Sequence, residues 1–261
     1  MIVRTTPLVG ALIAGLASIA SAAHAQPPQS TAIGLSGSFQ VNGVNTDFGP
    51  VAAAIGKPTG KYDLTDTVPS DNQVVTLAPG GAAPALYVTA SGIASHASAS
   101  GIQIDSRSSE GDNALTSATL ALNLYPPPPA GAQIAPNPPL TITIAEAVSS
   151  ADFGTVYPAN NFVTGDAKFG RLVISGALLG GKTLTLSGDI APNKIVFASP
   201  QLTITVNREI KTGAISCHPS TNCRFNPTKI DVAALDVVLH DAPVYSYKVS
   251  GELLINHATA Q

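Results

Sequence analysis

Leu202-Thr-Ile-Thr-Val206 decides the fold. Leu202, Ile204 and Val206 fall on one side of an extended chain, and Thr203 and Thr205 fall on the other. A period of two with one apolar face describes a strand that lies on a core and shows its other side to water. The flanking sequence repeats the theme in Arg171-Leu-Val-Ile-Ser175, Lys182-Thr-Leu-Thr-Leu-Ser187 and Lys194-Ile-Val-Phe-Ala198. Each run is short, rich in β-branched residues and bounded by Gly, Pro or Asn, as strands are.

Outward from there, residues 34–48 read as a hairpin around Asn42-Gly43, a turn pair that tolerates positive φ. Residues 50–73 read as mixed and turn-rich, with Gly56, Pro58, Gly60 and Pro69 breaking any long element. Strands are predicted at Val74–Leu77, Leu86–Thr89, within 114–125 and at Leu140–Ile144. Residues 91–109 are Ser/Ala-rich, and the alternation of Ile102 and Ile104 suggests a strand there. The proline-rich stretch at 126–139 reads as a stiff extended loop, because proline cannot feed a sheet ladder. Residues 229–239 are open to two readings. Asn226-Pro227 suits a helix start, whereas Val232, Val237, Val238 and Leu239 favour a strand, which is preferred. Residues 245–256 close the chain as a last strand. The sum is an all-β chain: one large antiparallel β-sandwich over 26–261, or, as the alternative, two smaller ones divided near 126–139.

Residues 1–25 are expected to lie outside the fold. Arg4, the apolar run 8–20 and Ala23-His24-Ala25 make a secretory signal peptide with cleavage before Gln26. No second apolar run long enough to span a membrane follows. The expected location is therefore secreted, periplasmic or cell-surface. Charged residues are only 11% of the chain, Trp is absent and the net charge is −3. With no basic stripe for a phosphate backbone, nucleic acid is excluded as a partner class. After export, Cys217 and Cys223 can oxidise to a disulfide whose small ring adds about 2 kcal/mol by restricting the unfolded chain. A metal site with His218 is the weaker alternative, because no fourth ligand lies nearby.

Motifs that would carry chemistry are few. There is no G-x-S-x-G, no H-E-x-x-H and no phosphate-binding glycine loop. Ser70-Asp71-Asn72 and Lys211-Thr212-Gly213 mimic two penicillin-recognising signatures, but the nucleophile motif S-x-x-K is missing. His240-Asp241, completed by His96 or His257, offers half an acid/base pair, read here as a polar strand end before Pro243. Asp105, Glu110 and Asp112 lie in a stretch, 105–113, that a Ca²⁺ ion could use; Arg107 and the spacing favour a solvated acidic turn. Asp236, set between Leu235 and Val237, must find a hydrogen-bonding neighbour if its strand is central. Tyr62, Tyr87, Tyr125, Tyr157, Tyr245 and Tyr247 could stack on sugars, although packing is the simpler role. No catalytic set, cofactor or metal site is assigned.

The order of several segments resembles the bacterial secreted and surface proteins called choice-of-anchor P. The segments are Phe48-Gly-Pro-Val51, Lys61-Tyr-Asp-Leu-Thr-Asp-Thr-Val68, residues 86–98, Ala118-Thr-Leu-Ala-Leu-Asn-Leu124 and Leu140-Thr-Ile-Thr-Ile144. Ala191-Pro-Asn193, Val206-Asn-Arg-Glu209, residues 230–239 and Ser250-Gly-Glu-Leu-Leu-Ile255 continue it. The resemblance implies an exported β-rich protein, often held to the envelope by a C-terminal sorting signal. Asn256-His-Ala-Thr-Ala-Gln261 carries no such signal, so release or non-covalent association is expected. The function expected is a non-enzymatic structural or interaction role toward an extracellular protein or glycan. The alternative is a carbohydrate- or small-ligand-binding module.

Overall fold

The computed structural model describes residues 27–58, 60–69, 73–78, 84–101, 107–124, 140–156, 160–216, 223–244 and 246–261. Among the described residues thirteen strands run in order: β1 Ser30–Val41, β2 Val44–Ile55, β3 Tyr62–Val68, β4 Gln73–Leu77, β5 Leu86–Ser100, β6 Ser108–Leu122 and β7 Leu140–Val156. They continue with β8 Asn160–Ser175, β9 Thr183–Asp189, β10 Lys194–Ala198, β11 Leu202–Ser216, β12 Arg224–Val244 and β13 Tyr247–Ala260. Sheet I has the order β10-β11-β12-β13-β1-β2. Sheet II has the order β3-β5-β6-β7-β8-β9, with β4 also pairing β5. All pairings are antiparallel, and the two sheets pack as a sandwich. The chain meanders, passing from sheet to sheet between β2 and β3 and between β9 and β10, and β13 returns to pair with β1. Because β6 pairs with β7, both sides of segment 126–139 share one sheet, which rules out a division there. The segment itself, like residues 1–26, lies outside the described residues. Among the described residues no helix is long and apolar enough to cross a membrane.

Several predicted boundaries need correction. β2 runs on through Pro50 to Ile55, as an edge strand can, since it has no ladder to feed on its open side. β5 continues unbroken through the Ser/Ala-rich stretch to Ser100, while Ile102 and Ile104 are outside the described residues. Ser108–Asn113 is not an acidic turn: it opens β6 and pairs with β5 and β7. Residues 229–239 are strand, within β12.

One feature organises both sheets. In β13 the buried residues are Val249, Leu253 and Ile255, then Asn256, Ala258 and Ala260, so the inward set switches from odd to even numbers. The switch sits on Asn256, at φ 50. A residue in the left-handed region rotates the chain and restarts the two-residue alternation out of phase, as in a β-bulge. β11 switches likewise at Val206 and Asn207 (φ 48), and β2 turns at Ala52 (φ 51). Between them, β12 switches at Ala234 and Leu235, and β1 at Gly34 and Leu35. These points share one register line, through Val206, Leu235, Ile255, Leu35 and Val51. Sheet II has the matching line through Ser91, Ser117, Ala145 and Arg171, with Gly92 (φ 61) and Glu146 (φ 57) left-handed. In sheet I the doubled residues point inward. In sheet II they point outward: Thr116 with Ser117, Ala145 with Glu146, and Gly170 with Arg171 are all exposed. The sheets are therefore creased together along one line.

The crease divides two kinds of interior. On one side, Leu86, Leu120, Leu122, Leu140, Ile142 and Leu172 pack against Leu202, Ile204, Leu235, Val237 and Leu253 in one apolar core. On the other side Ala32, Ala54, Ala97, Ala151, Ala167 and Ala258 are interleaved with a few large side chains, Ile93, Leu115, Phe153, Phe169, Ile230 and Val232. There the sheets come close enough for side chains of one to bond the backbone of the other. Ser30 Oγ donates to Ser98 O (2.9 Å), Ser95 Oγ to Ala52 O (2.7 Å) and Asn113 Nδ2 to His257 O (2.8 Å). Ser149 Oγ donates to Asn256 O, and Asn256 Nδ2 to Ala147 O, both at 2.9 Å. Buried polar groups are tolerable because they are paired in this way. This close approach also explains why Ala, Ser and Gly, rather than aromatic residues, dominate the sequence.

Candidate functional site

Past the crease, the outward positions of sheet II carry most of the polar side chains that could meet a ligand. β3 supplies Asp63 and Thr65, β5 His96 and Ser98, β6 Glu110 and Asp112, β7 Ser150 and Asp152, and β8 Thr164, Asp166 and Lys168. Register aligns them in rows. Thr65, His96, Asp112, Ser150 and Asp166 lie directly across from one another, and Asp63, Ser98, Glu110, Asp152 and Thr164 form the next row. His96 Nε2 is 2.9 Å from Asp63 Oδ1, and its Nδ1 is 3.5 Å from Asp112 Oδ2. The hydrogen bond to Asp63, helped by Asp112, raises the His96 pKa above the usual imidazole range. Lys168 Nζ lies 3.0 Å from Asp189 and 3.4 Å from Asp166. Burial and the nearby Asp112 raise Glu110, and burial with the nearby Glu110 raises Asp152.

Two hollows lie on these rows. One, of about 400 Å³, has Ala94, Ala114 and Val148 among its lining, with Asp112, Asp166 and Lys168. The other, of about 370 Å³, lies between Asp63, Glu110, Asp152, Thr164 and Phe162, whose ring is half exposed. Tyr62 lines the second hollow, but its hydroxyl bonds Ser30 and its ring packs on Ala32, Ala54 and Ala97. Tyr87 and Tyr247 lie on different sheets, and Tyr125, Tyr157 and Tyr245 are outside the described residues. The described tyrosines do not assemble into a stacking platform.

The predicted His240 and Asp241 pair does not converge with the other histidines. Asp241 Oδ1 accepts directly from Ser250 Oγ (2.8 Å), while His240 Nε2 faces Thr203 Oγ1 at 3.5 Å. A nucleophilic serine needs the imidazole between itself and the carboxylate, and here the imidazole is elsewhere. His96 is on sheet II, and His257 lies beside Asp231 on sheet I. Of the predicted cation ligands, Asp105 is outside the described residues and Glu110 and Asp112 belong to the strand rows above. Among the described residues no group of three His, Cys, Asp or Glu is placed to hold a metal ion. Cys217 is outside the described residues, so its pairing with Cys223 is not described.

A second charged group fills the outer side of the sheet I crease. Arg208 NH2 lies 2.7 Å from Asp231 Oδ1, NH1 3.3 Å from Glu252 Oε1, and Nε 3.6 Å from Asp236 Oδ2. His257 Nε2 lies 3.1 Å from Asp231 Oδ1. The neighbour that Asp236 needed is thus Arg208, although at 3.6 Å it is an ion pair and not a hydrogen bond. Nothing local in the sequence marks Arg208. The sheet II rows did leave a trace: Glu110-Gly-Asp112 and Asp166-Ala-Lys168 are polar at every second residue. No protein family, no curated protein and no solved structure matches this chain.

Proposed function

We propose that the protein is an exported, non-enzymatic interaction protein whose binding face is the outer side of sheet II. The observation that carries this reading is the pair of hollows of about 400 and 370 Å³ on one polar face, walled by carboxylates, hydroxyls and Lys168. Shallow sites with several convergent polar groups suit ligands that offer many hydrogen bonds. The scattering of His96, His240 and His257 favours binding over catalysis. A carbohydrate is the second reading, favoured by the half-exposed Phe162 ring beside Asp152 and Thr164. The signal-like residues 1–25 and the resemblance to choice-of-anchor P proteins support export.

Ser150 sits at the middle of the first hollow, between Asp112 and Asp166 in register. Ser150→Trp should fill the hollow without touching the core, since the position faces outward. A glycan and cell-surface screen of the purified mature chain, with and without Ca²⁺, is expected to find a bound class that Ser150→Trp loses. Undiminished binding by that variant, or no binding by the wild type, would remove the face from consideration. Export predicts a mature N-terminus at Gln26 by N-terminal sequencing. We further propose a Cys217–Cys223 disulfide. The secreted chain should then resist alkylation and weigh less than the reduced form by two thiol hydrogens, whereas alkylation at both thiols without reductant would refute the bond.

A further inference from the structure

The crease in sheet I turns two successive residues inward on each strand, so the outward residues on either side face each other across a furrow. Five titratable side chains occupy it: Arg208 of β11, Asp231 and Asp236 of β12, and Glu252 and His257 of β13. The residues directly opposite Asp236 and the β1 neighbour of Glu252 are neutral. Asp236 stands opposite Thr205 and Leu254, and Glu252 stands opposite Ser38 of β1. Lys229 adds its charge near Asp231. Asp236 is only 5% exposed, and its Oδ1 is buried with no hydrogen-bond partner among the described residues. Three carboxylates thus face one guanidinium and one imidazole, and the deepest carboxylate has an oxygen left unpaired.

We propose that Asp236 and Glu252 share one proton, which makes the furrow a clamp across the crease that is tight in acid and loosens in mild alkali. The shared proton supplies the missing hydrogen bond and removes one negative charge from the buried end of the furrow, where Asp236 lies. Arg208 and His257 lie on one side of the crease, and Asp236 and Glu252 lie on the other. The clamp therefore ties the two halves of the sheet together. Asp231 behaves oppositely: burial works against its charge, but His257 and Arg208 hold its pKa below the usual carboxylate range, so it stays ionised.

Burial, with the charge of Glu252, pushes Asp236 up to about 7, against the pull of Arg208. Between the ordinary carboxylate range and that value the folded chain holds a proton that the unfolded chain has lost. Stability from this group is then full below the unfolded pKa and declines as pH rises through the window. The folded-to-unfolded ratio should fall by about tenfold per pH unit for one such proton.

Urea unfolding at several pH values should show this decline in the wild type and a slope smaller by one proton in Asp236→Asn. His96, Glu110 and Asp152 add slope of the same sign from sheet II, so the difference between the two curves is what is read. His96→Gln should leave that difference intact. Parallel curves for the wild type and Asp236→Asn would overturn the proposal. If Asp236→Asn does not fold, the carboxyl carbon of Asp236 in the wild type can be followed by NMR. An inflection near 7 is expected, and one in the usual carboxylate range would overturn the clamp.

Discussion

Gly111→Ala is expected to destabilise the protein by about 3 kcal/mol, near the upper end of what overpacking a core costs. Gly111 lies on β6, facing the backbone of sheet I. A Cβ there would stand 2.7 Å from Thr31 O and 3.0 Å from Thr259 O. Both atoms are backbone, on β1 and β13, which pair with each other and cannot turn aside as a side chain would. The added methyl must push whole strands apart, and several cross-sheet hydrogen bonds lengthen with them. Ser109 Oγ to Gln261 O (3.0 Å) and Asn113 Nδ2 to His257 O (2.8 Å) flank the site on the same strand. Against this, alanine stiffens the unfolded chain, a gain of under about 1 kcal/mol. A lower urea midpoint with an unchanged m-value would confirm the effect. A change below about 0.5 kcal/mol, the range of an ordinary surface substitution, would mean that the sheets do not touch there.

Asn256→Ala should cost a similar amount for two separable reasons. The side-chain amide donates to Ala147 O at 2.9 Å, in the buried interior between the sheets. Leaving that carbonyl unpaired costs about 1–3 kcal/mol. The backbone is also at φ 50, where asparagine is tolerated and alanine pays roughly 1–2 kcal/mol. Asn256→Gly removes only the hydrogen bond and should recover about 1 kcal/mol relative to Asn256→Ala. Equal stability of the two variants would show that Asn256 is not held left-handed. Asn207 repeats the design at φ 48, donating to Ile190 O at 2.7 Å, and should respond in the same order.

The strands were legible wherever period two runs uninterrupted, as in Leu202–Val206. Legibility failed at the crease, for a physical reason. In β12 the buried positions Ile230, Val232 and Ala234 give way to Leu235, Val237 and Leu239. The helix reading of residues 229–239 rests on Asn226-Pro227, and the phase change leaves no single continuous strand face to weigh against it. It failed again at residues 91–100, where inward-facing Ser95, Ala97 and Ala99 lack the bulky residues that usually mark a strand. Small side chains are what the close half of the sandwich demands, so strand propensity was overridden by sheet spacing.

The charged groups were legible only in part. Asp236 stood out because its apolar neighbours along the chain implied burial. Asp63, His96 and Asp112 belong to three strands, and only the register of β3 and β6 on β5 brings them together. Arg208 meets Asp231 and Glu252 by the same route. Local sequence records what each strand shows to solvent, not which strand lies beside it.

The coordinated crease can be measured most directly by thiol labelling of single-cysteine variants with Cys217 and Cys223 replaced by serine. On β7, Ile144→Cys and Ala147→Cys should be protected while Ala145→Cys and Glu146→Cys both react. On β13, Ile255→Cys and Asn256→Cys should both be protected. A strict protected-reactive alternation through either segment would contradict the account.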